Sequence, residues 1–187
     1  LVRGAVKARG AGWLARLVGW LWTRATGWRA VGEAPTTSCV LIAAPHTTNW
    51  DMPNTVGVGW SAGVHVHWMG KHTLFSGPFG WFFRRMGGLP VNRSANHDVV
   101  GEAAELLRNS DGMLMAVAAE GTRAKREFWK SGFYHIALRA NVPICCAFLD
   151  YENKRGGFGP LIYPTGDVRA DMDRIRAFYR ASMAKYP

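Results

Sequence analysis

The sequence has few cysteines, few acidic residues and no long hydrophobic run. Three of the 187 residues are cysteines, and Cys145 and Cys146 are adjacent within an apolar segment that lies far from Cys39. This odd number excludes a disulfide framework and a four-cysteine zinc site, and it predicts buried free thiols in a reducing compartment. No stretch of 18 residues is apolar and uncharged, so we expect no bilayer-spanning helix within these residues.

The shortage of acidic residues leaves a strong positive charge. The chain has 23 Lys and Arg against 13 Asp and Glu, which gives a formal net charge of +10. Such a charge attracts polyanions, which include nucleic acid, an anionic lipid surface and phosphorylated substrates. The hydrophobic content of 48% indicates an ordered globular domain.

The N-terminal part combines tryptophan with basic residues. Residues 12–30 carry apolar side chains at helical spacing, which are Leu14, Leu17, Val18, Leu21 and Trp22, flanked by Trp13, Trp20 and Trp28. Residues 1–34 contain six basic residues and one acid, Glu33. Tryptophan and arginine on one helix suit the interface of an anionic bilayer. Residues 1–34 are therefore predicted to form an amphipathic, membrane-docking helical segment, and the alternative is a helix packed on its own domain.

Short apolar runs alternate with helical patterns in the rest of the chain. Strands are predicted at 38–43, 64–69, 88–92, 113–118, 143–149 and 161–164, and helices at 50–61, 78–86, 96–109, 131–141 and 170–183. Asn96 is the predicted N-cap of helix 96–109. The alternation predicts one α/β domain over residues 35–187, with three α/β/α layers and a mixed, largely parallel sheet.

His46 and Asp51 follow the first apolar run, in "CVLIAAPHTTNWDMPN" (residues 39–54). Pro53 is tolerated in a first helical turn, so Asp51 is predicted at the N-terminus of the next helix. On a loop that enters a helix, residues five apart can meet. A carboxylate bonded to one imidazole nitrogen leaves the other nitrogen as a base for an alcohol. The alternative is that Asp51 or Thr48 only caps the helix.

Three further segments carry cations near predicted strand ends. "EGTR" (residues 120–123) follows a predicted strand, and its glycine permits a sharp turn of the backbone there. Backbone N–H groups of the turn and the Arg123 side chain could then bind an oxyanion. "GGLPVNR" delivers Arg93, and Lys71 follows another strand. Ligand sites in open α/β sheets lie outside the strand ends, so these cations are predicted near His46. The alternative for "EGTR" is a basic surface loop.

The order and spacing of these segments resemble those of the glycerophospholipid acyltransferases of the lysophosphatidic-acid acyltransferase type. "HTTNWD" resembles the family's His-x4-Asp block, "GGLPVNR" its second block, "EGTR" its Glu-Gly-Thr-Arg block, and "VPICCAF" (residues 142–148) its Val-Pro-Ile block. The resemblance covers residues 38–165, and the ordered set is more specific than any single block.

The resemblance implies a role for each matching residue. His46 would be the base that deprotonates the acceptor hydroxyl, with Asp51 orienting it. The glycerol-phosphate site would be formed by Arg93, Glu120, Gly121, Thr122, Arg123 and Lys71. No metal or cofactor is expected, because the thioester of acyl-CoA or acyl-ACP, the co-substrate, carries its own activation energy.

The predicted function is transfer of an acyl chain from acyl-CoA or acyl carrier protein to the sn-2 hydroxyl of lysophosphatidic acid, giving phosphatidic acid. Members of the family also acylate glycerol-3-phosphate, other lysophospholipids, ornithine lipids or glycolipids, so these acceptors remain open. The expected partners are the lysophospholipid, the acyl donor and an anionic membrane surface. The protein is expected to be peripheral, on the cytoplasmic face of the cell membrane.

Three rival interpretations have weaker support. "GWSAG" (residues 59–63) fits the Gly-x-Ser-x-Gly pattern of a serine esterase, but a helix is predicted before Ser61 and a strand after it, the reverse of a nucleophile elbow. His65 and His67 lack a nearby cysteine or paired carboxylates, so they are predicted to be structural. A nucleic-acid-binding module would expose its aromatics on a sheet, whereas the tryptophans concentrate near the N-terminus.

Overall fold

The computed structural model describes residues 10–45, 48–92, 98–119 and 129–186. Six α-helices lie within this part of the chain: α1 Trp13–Thr26, α2 Asp51–Ser61, α3 Gly80–Arg85, α4 Val99–Arg108, α5 Gly132–Ala140 and α6 Val168–Arg176. The strands are β1 Arg29–Val31, β2 Cys39–Ala43, β3 Val66–Lys71, β4 Gly88–Val91, β5 Leu114–Ala118, β6 Ile144–Asp150 and β7 Arg155–Ile162. Short 3-10 helices lie at His72–Phe75 and Ala181–Met183.

The seven strands form one mixed, largely parallel sheet in the order β1-β7-β6-β2-β5-β3-β4. Strands β6, β2, β5, β3 and β4 run parallel to one another, and β7 is antiparallel to β6. In this sheet the carboxyl ends of the five parallel strands meet at one edge. The predicted three-layer α/β class is confirmed.

Each face of the sheet is covered by helices because the central strands are apolar on both sides. On one face Val40, Ile42 and Met115 pack with α4, α5 and α6. On the other face Leu41 and Ala116 belong to a second cluster, which lies on the side of α2. Burial on both faces explains why these strands lack the alternation of a half-exposed strand.

Most predicted elements occur where the sequence pattern indicates them. The strands predicted at 38–43, 64–69, 88–92, 113–118 and 143–149 lie within about two residues of β2, β3, β4, β5 and β6. The helices predicted at 50–61, 78–86 and 131–141 correspond to α2, α3 and α5 with similar shifts at their ends. Continuous apolar runs and well-placed helix periods were reliable signals in these segments.

The last strand was predicted wrongly, because 161–164 covers only the end of β7, Arg155–Ile162. Glycines in its first half hide the strand pattern, and they are needed for close packing. A side chain at Gly157 would overlap the backbone of Val31 in β1. The three-residue strand β1 was not predicted, and it pairs with β7 in parallel.

Two helix boundaries also differ. The N-cap of α4 is Asp98, whose carboxylate accepts from the Gly101 amide at 2.9 Å, so the prediction of Asn96 as the cap was wrong. Helix α6 begins at Val168, after its cap Asp167, and ends at Arg176 instead of residue 183. The extended backbone of Arg180 separates α6 from the following 3-10 turn.

Helix α1 ends at Gly27, whose φ of 77° is the left-handed conformation that glycine adopts readily at a helix end. Trp28 beyond it is 6% exposed and packs with Val58 and Leu149. Trp28, which the sequence pattern groups with Trp13 and Trp20 beside the apolar stripe of the helix, therefore lies beyond α1 and belongs to the core. The boundary predicted at residue 34 stays a prediction, although β1 within residues 1–34 joins the sheet.

Helix α1 packs closely against α2 through glycine. A Cβ atom on Gly19 would lie 2.5 Å from the backbone nitrogen of Ser61, so only a residue without a side chain fits there. Gly57 of α2 faces the indole ring of Trp22 in the same way. The predicted alternative of a helix packed on its own domain is thus correct for one face of α1. None of the described helices is long and apolar enough to cross a bilayer.

Candidate active site

The strands that precede the candidate segments in the sequence all end at one edge of the sheet. Ala43 at the end of β2 pairs with Ala118 at the end of β5, and Lys71 at the end of β3 pairs with Val91 at the end of β4. His46 follows β2 by three residues in the sequence. Loops that leave this edge form ligand sites in open α/β sheets.

Only two of the predicted site residues lie in the described part of the chain. Asp51 is the first residue of α2, and Lys71 is the exposed last residue of β3. The other predicted site residues lie outside the described residues: His46, Arg93, Glu120, Gly121, Thr122 and Arg123. Their roles stay predictions.

Asp51 starts α2, as predicted from Pro53, and its side chain is 5% exposed. Its Oδ2 accepts from the backbone N–H of Thr48 at 3.0 Å, and the Asp51 N–H donates to the Thr48 carbonyl at 3.3 Å. The carboxylate is therefore bound to the loop that enters α2, two residues after His46. Thr48 Oγ1 also accepts from the Trp50 N–H at 3.3 Å, so Thr48 and Asp51 make the hydrogen bonds of a capping box, and the predicted alternative of a capping role stays a prediction beside the catalytic one.

The second oxygen of Asp51 is held by a residue that the sequence patterns did not reveal. The Tyr151 hydroxyl donates to Asp51 Oδ1 at 2.6 Å, within the range of a charge-assisted O–H···O⁻ hydrogen bond. Asn54 Nδ2 donates to the same hydroxyl at 3.1 Å. The sequence offers only the positions of Tyr151 and Asn54 as a signal. Tyr151 directly follows β6, and Asn54 lies one helical turn after Asp51.

Burial and the Asp51 carboxylate both raise the pKa of Tyr151. Burial is the larger effect, and the adjacent negative charge adds to it because it disfavours a phenolate. The phenol therefore remains protonated at neutral pH. It is a permanent donor to Asp51 and cannot itself be the base.

A narrow apolar cleft lies between α2 and the sheet, next to Asp51. Its cavity volume is about 40 Å³, and all the empty space with the open mouth included is about 530 Å³. Pro45 and Asp51 line the end at the carboxyl edge. The apolar wall includes Leu41, Val58, Val66, Ala116, Ala147 and Phe158. The wall offers apolar contacts of the kind that bind an alkyl chain, and the Asp51 carboxylate lies at one end.

The Ser61 hydroxyl donates to the Val58 carbonyl at 2.8 Å, and Ser61 is the last residue of α2. A strand before the serine and a helix after it are both required for a nucleophile elbow, and α2 precedes Ser61 while β3 follows it. Ser61 is therefore not placed as an esterase nucleophile.

His65 directly precedes β3 and His67 lies within it, while the cysteines lie in β2 and β6. His65 and His67 lie edge to face at 5.1 Å, and burial lowers the pKa of His67 to about 4. Burial raises the pKa of Cys145 to about 12 and that of Cys146 to about 11, so these thiols stay protonated. All three cysteines are free and buried, as predicted. Within the described ranges, no group of three His, Cys, Asp or Glu side chains could hold a metal ion.

Comparisons with known proteins agree with this geometry. A family profile described as Acyltransferase matches residues 29–149, which is more than half of the chain. The fold is similar to the crystal structure of the 1-acyl-sn-glycerophosphate (LPA) acyltransferase PlsC from Thermotoga maritima, with a TM-score of 0.66 and 18% sequence identity. That match covers 88% of this chain and 74% of the other. A search of curated proteins gives no significant match. The chain belongs to the Acyltransferase family.

Proposed function

We propose that this acyltransferase transfers a fatty acyl chain from acyl-CoA or acyl carrier protein to the sn-2 hydroxyl of lysophosphatidic acid, giving phosphatidic acid in phospholipid biosynthesis. The observation that carries the proposal is the apolar cleft that ends at a buried carboxylate, at the helix start that follows His46. An acyl chain and a general base are the two requirements of this reaction.

The proposed chemistry needs one base and one buried carboxylate. His46 removes the proton from the acceptor hydroxyl, whose oxygen attacks the thioester carbonyl, and the carbon–sulfur bond then breaks. The imidazolium returns its proton to the leaving thiolate, so the base is regenerated. Asp51 stabilises the imidazolium, as a carboxylate does when it is hydrogen-bonded to the other ring nitrogen. The thioester supplies the activation, and neither a metal nor a nucleotide is required.

The acyl chain is proposed to lie in the cleft between α2 and the sheet. Ala116 of β5 and Ala147 of β6 are small residues on its wall, and they make room where larger side chains would fill the core. Val58 and Phe158 supply apolar contact. Burial of each methylene group stabilises the bound chain by about 0.8 kcal/mol.

The acceptor phosphate is proposed to bind the cations that follow the strand ends. Arg93 and Arg123 are carried over from the resemblance, and Lys71 lies at the carboxyl end of β3. In the sheet β3 is separated from β2 by β5, a distance of about 10 Å between strand axes. A glycerol phosphate headgroup beside His46 covers part of that distance, and the long side chain of Lys71 covers the rest.

The proposed membrane contact is the outer face of α1. Its Trp13 is 78% exposed and Trp20 is 56% exposed, and Leu14, Leu17 and Leu21 are exposed as well. Soluble surfaces seldom expose so large a contiguous apolar patch unless something binds there. Together with the net charge of +10, this face suits the anionic headgroup region at the cytoplasmic face of the membrane.

The experiment that tests the function measures thiol release from palmitoyl-CoA by the purified protein in detergent micelles. The acceptors are lysophosphatidic acid, glycerol-3-phosphate, lysophosphatidylcholine, a lyso-ornithine lipid and a glycolipid, each compared with no acceptor. We expect release that requires lysophosphatidic acid, with phosphatidic acid as the product. Release that needs another acceptor would correct the substrate, and release without any acceptor would indicate a thioesterase.

A further inference from the structure

The hydrogen bonds around Asp51 extend beyond the active site to α1. Tyr151 donates to Asp51 at 2.6 Å, and Asn54 Nδ2 donates to the Tyr151 hydroxyl at 3.1 Å. Trp22 Nε1 donates to Asn54 Oδ1 at 3.2 Å. Three consecutive hydrogen bonds thus connect α1, α2 and the residue that follows β6.

Packing restricts the side chains of Trp22, Asn54 and Tyr151, which form these hydrogen bonds. Asn54 is buried, and the Trp28 ring lies edge-on against the Tyr151 ring at a centroid distance of 4.9 Å. Gly57 leaves room for the Trp22 indole, which a side chain at that position would displace. The donors therefore have little freedom to choose other partners.

The two oxygens of Asp51 accept from different elements. Oδ2 is bound by the Thr48 amide, and Oδ1 is bound by Tyr151. A carboxylate has about four acceptor positions, so Asp51 can accept from these two donors and from an imidazole N–H as well. The two hydrogen bonds fix the rotation of the carboxylate, and this rotation determines the direction in which the carboxylate accepts a hydrogen bond from an imidazole.

We propose that Tyr151 and Asn54 are positioning residues that hold the Asp51 carboxylate in its productive orientation, and that Trp22 fixes them to α1. The proposal rests on the proposed function, because it takes Asp51 as the partner of His46. It assigns α1 a second role, in which the helix supports the active site in addition to its contact with the membrane.

The test uses Tyr151→Phe and Trp22→Phe, assayed in detergent micelles so that vesicle binding does not limit the rate. Tyr151→Phe should lower kcat about tenfold, the low end of the effect of losing a hydrogen bond to a charged group, and leave both KM values within about twofold. Trp22→Phe should lower kcat about threefold, because it acts through one more hydrogen bond. The double variant should be no worse than Tyr151→Phe, since the two act in series.

The matched control is Tyr134→Phe. The Tyr134 hydroxyl donates to Asp171 Oδ2 at 2.9 Å, which is a second buried tyrosine–aspartate pair, on the other face of the sheet. This variant loses the same kind of hydrogen bond and should keep wild-type kcat. A kcat for Tyr151→Phe that equals that of Tyr134→Phe would overturn the proposal.

A titration separates this proposal from the function on which it rests. Tyr151 fixes the orientation of the Asp51 carboxylate and shares its charge, so loss of the phenol changes how strongly this carboxylate attracts a proton on His46. Asp51 and Tyr186 are the titratable groups that act on Tyr151 in the described part of the chain. In Tyr151→Phe the NMR titration midpoint of His46, assigned by its absence in His46→Ala, should therefore shift, whereas Tyr134→Phe should leave it unchanged.

An unchanged His46 midpoint in Tyr151→Phe would refute the positioning role, whatever the activity. A shifted midpoint combined with full turnover in His46→Ala would instead refute the proposed function and leave the positioning role standing. Loss of turnover in His46→Ala with wild-type behaviour of Tyr151→Phe would remove only the positioning role.

Discussion

The substitution Ala116→Leu should change which acyl chains the enzyme accepts. Ala116 lies on the wall of the apolar cleft and pairs with Leu41 in β2. The strand ends at Ala118, two residues further on, so Ala116 lies about 7 Å below the carboxyl edge. Leucine adds three carbons at that depth, and a bound chain would lose the space for about three methylene groups.

The magnitude follows from the transfer free energy of methylene groups. Three that can no longer be buried cost about 2.4 kcal/mol, which is about a sixtyfold loss in kcat/KM. Long chains that reach this depth should suffer the whole loss, whereas chains too short to reach it should be used as before. Ala116→Val, which adds two carbons, should give an intermediate loss of about fifteenfold.

The assay compares kcat/KM for a series of acyl-CoA donors from eight to eighteen carbons with a fixed acceptor. The control is Met115→Leu, because Met115 belongs to the same strand and faces the core on the opposite side of the sheet. It changes volume little and should leave the chain-length profile unaltered. An equal loss for all donors in Ala116→Leu, or an unchanged profile, would refute the placement of the acyl chain.

Three further predictions test other parts of the account. Arg123→Ala should raise the KM for lysophosphatidic acid more than tenfold without changing the KM for acyl-CoA, because charge-assisted contacts to phosphate are strong. The control substitution Arg169→Ala on α6 should change neither of these two KM values. Replacing Trp13 and Trp20 with glutamate should abolish flotation with anionic liposomes but keep turnover in detergent; unaltered flotation would exclude α1 as the membrane contact. Gly19→Ala should destabilise the fold by about 1–3 kcal/mol in chemical denaturation, since its Cβ has no space against α2, and wild-type stability would contradict the close packing of the two helices.

The sheet could be predicted where burial produces a strong pattern. The strands around Leu41, Met115 and Cys145 are apolar on both faces, so their runs are continuous and easily recognised. The first half of β7 was not predicted as a strand, because the close approach of β1 requires glycine at position 157 and glycine is not typical of strands. The burial of Trp28 depends on tertiary packing, which the helical spacing of apolar residues does not reveal.

Only the part of the candidate site that lies within one short stretch of sequence could be predicted. Pro53 lies two residues after Asp51, so the start of α2 at Asp51 could be predicted from one short stretch, whereas the pairing of His46 with Asp51 stays a prediction. Tyr151 lies 100 residues after Asp51, and only the sheet topology brings them together. The cleft was not predicted either, because it results from small residues that come from different strands.

The central claim is that His46 acts as the base for acyl transfer. The most direct measurement is the acceptor-dependent release of CoA by wild type, His46→Ala and Ser61→Ala, with folding checked by circular dichroism. A general base contributes about 10²- to 10⁴-fold, so His46→Ala should lose at least 99% of the rate while Ser61→Ala keeps it. A folded His46→Ala protein that retains more than about a tenth of the wild-type rate would contradict the account.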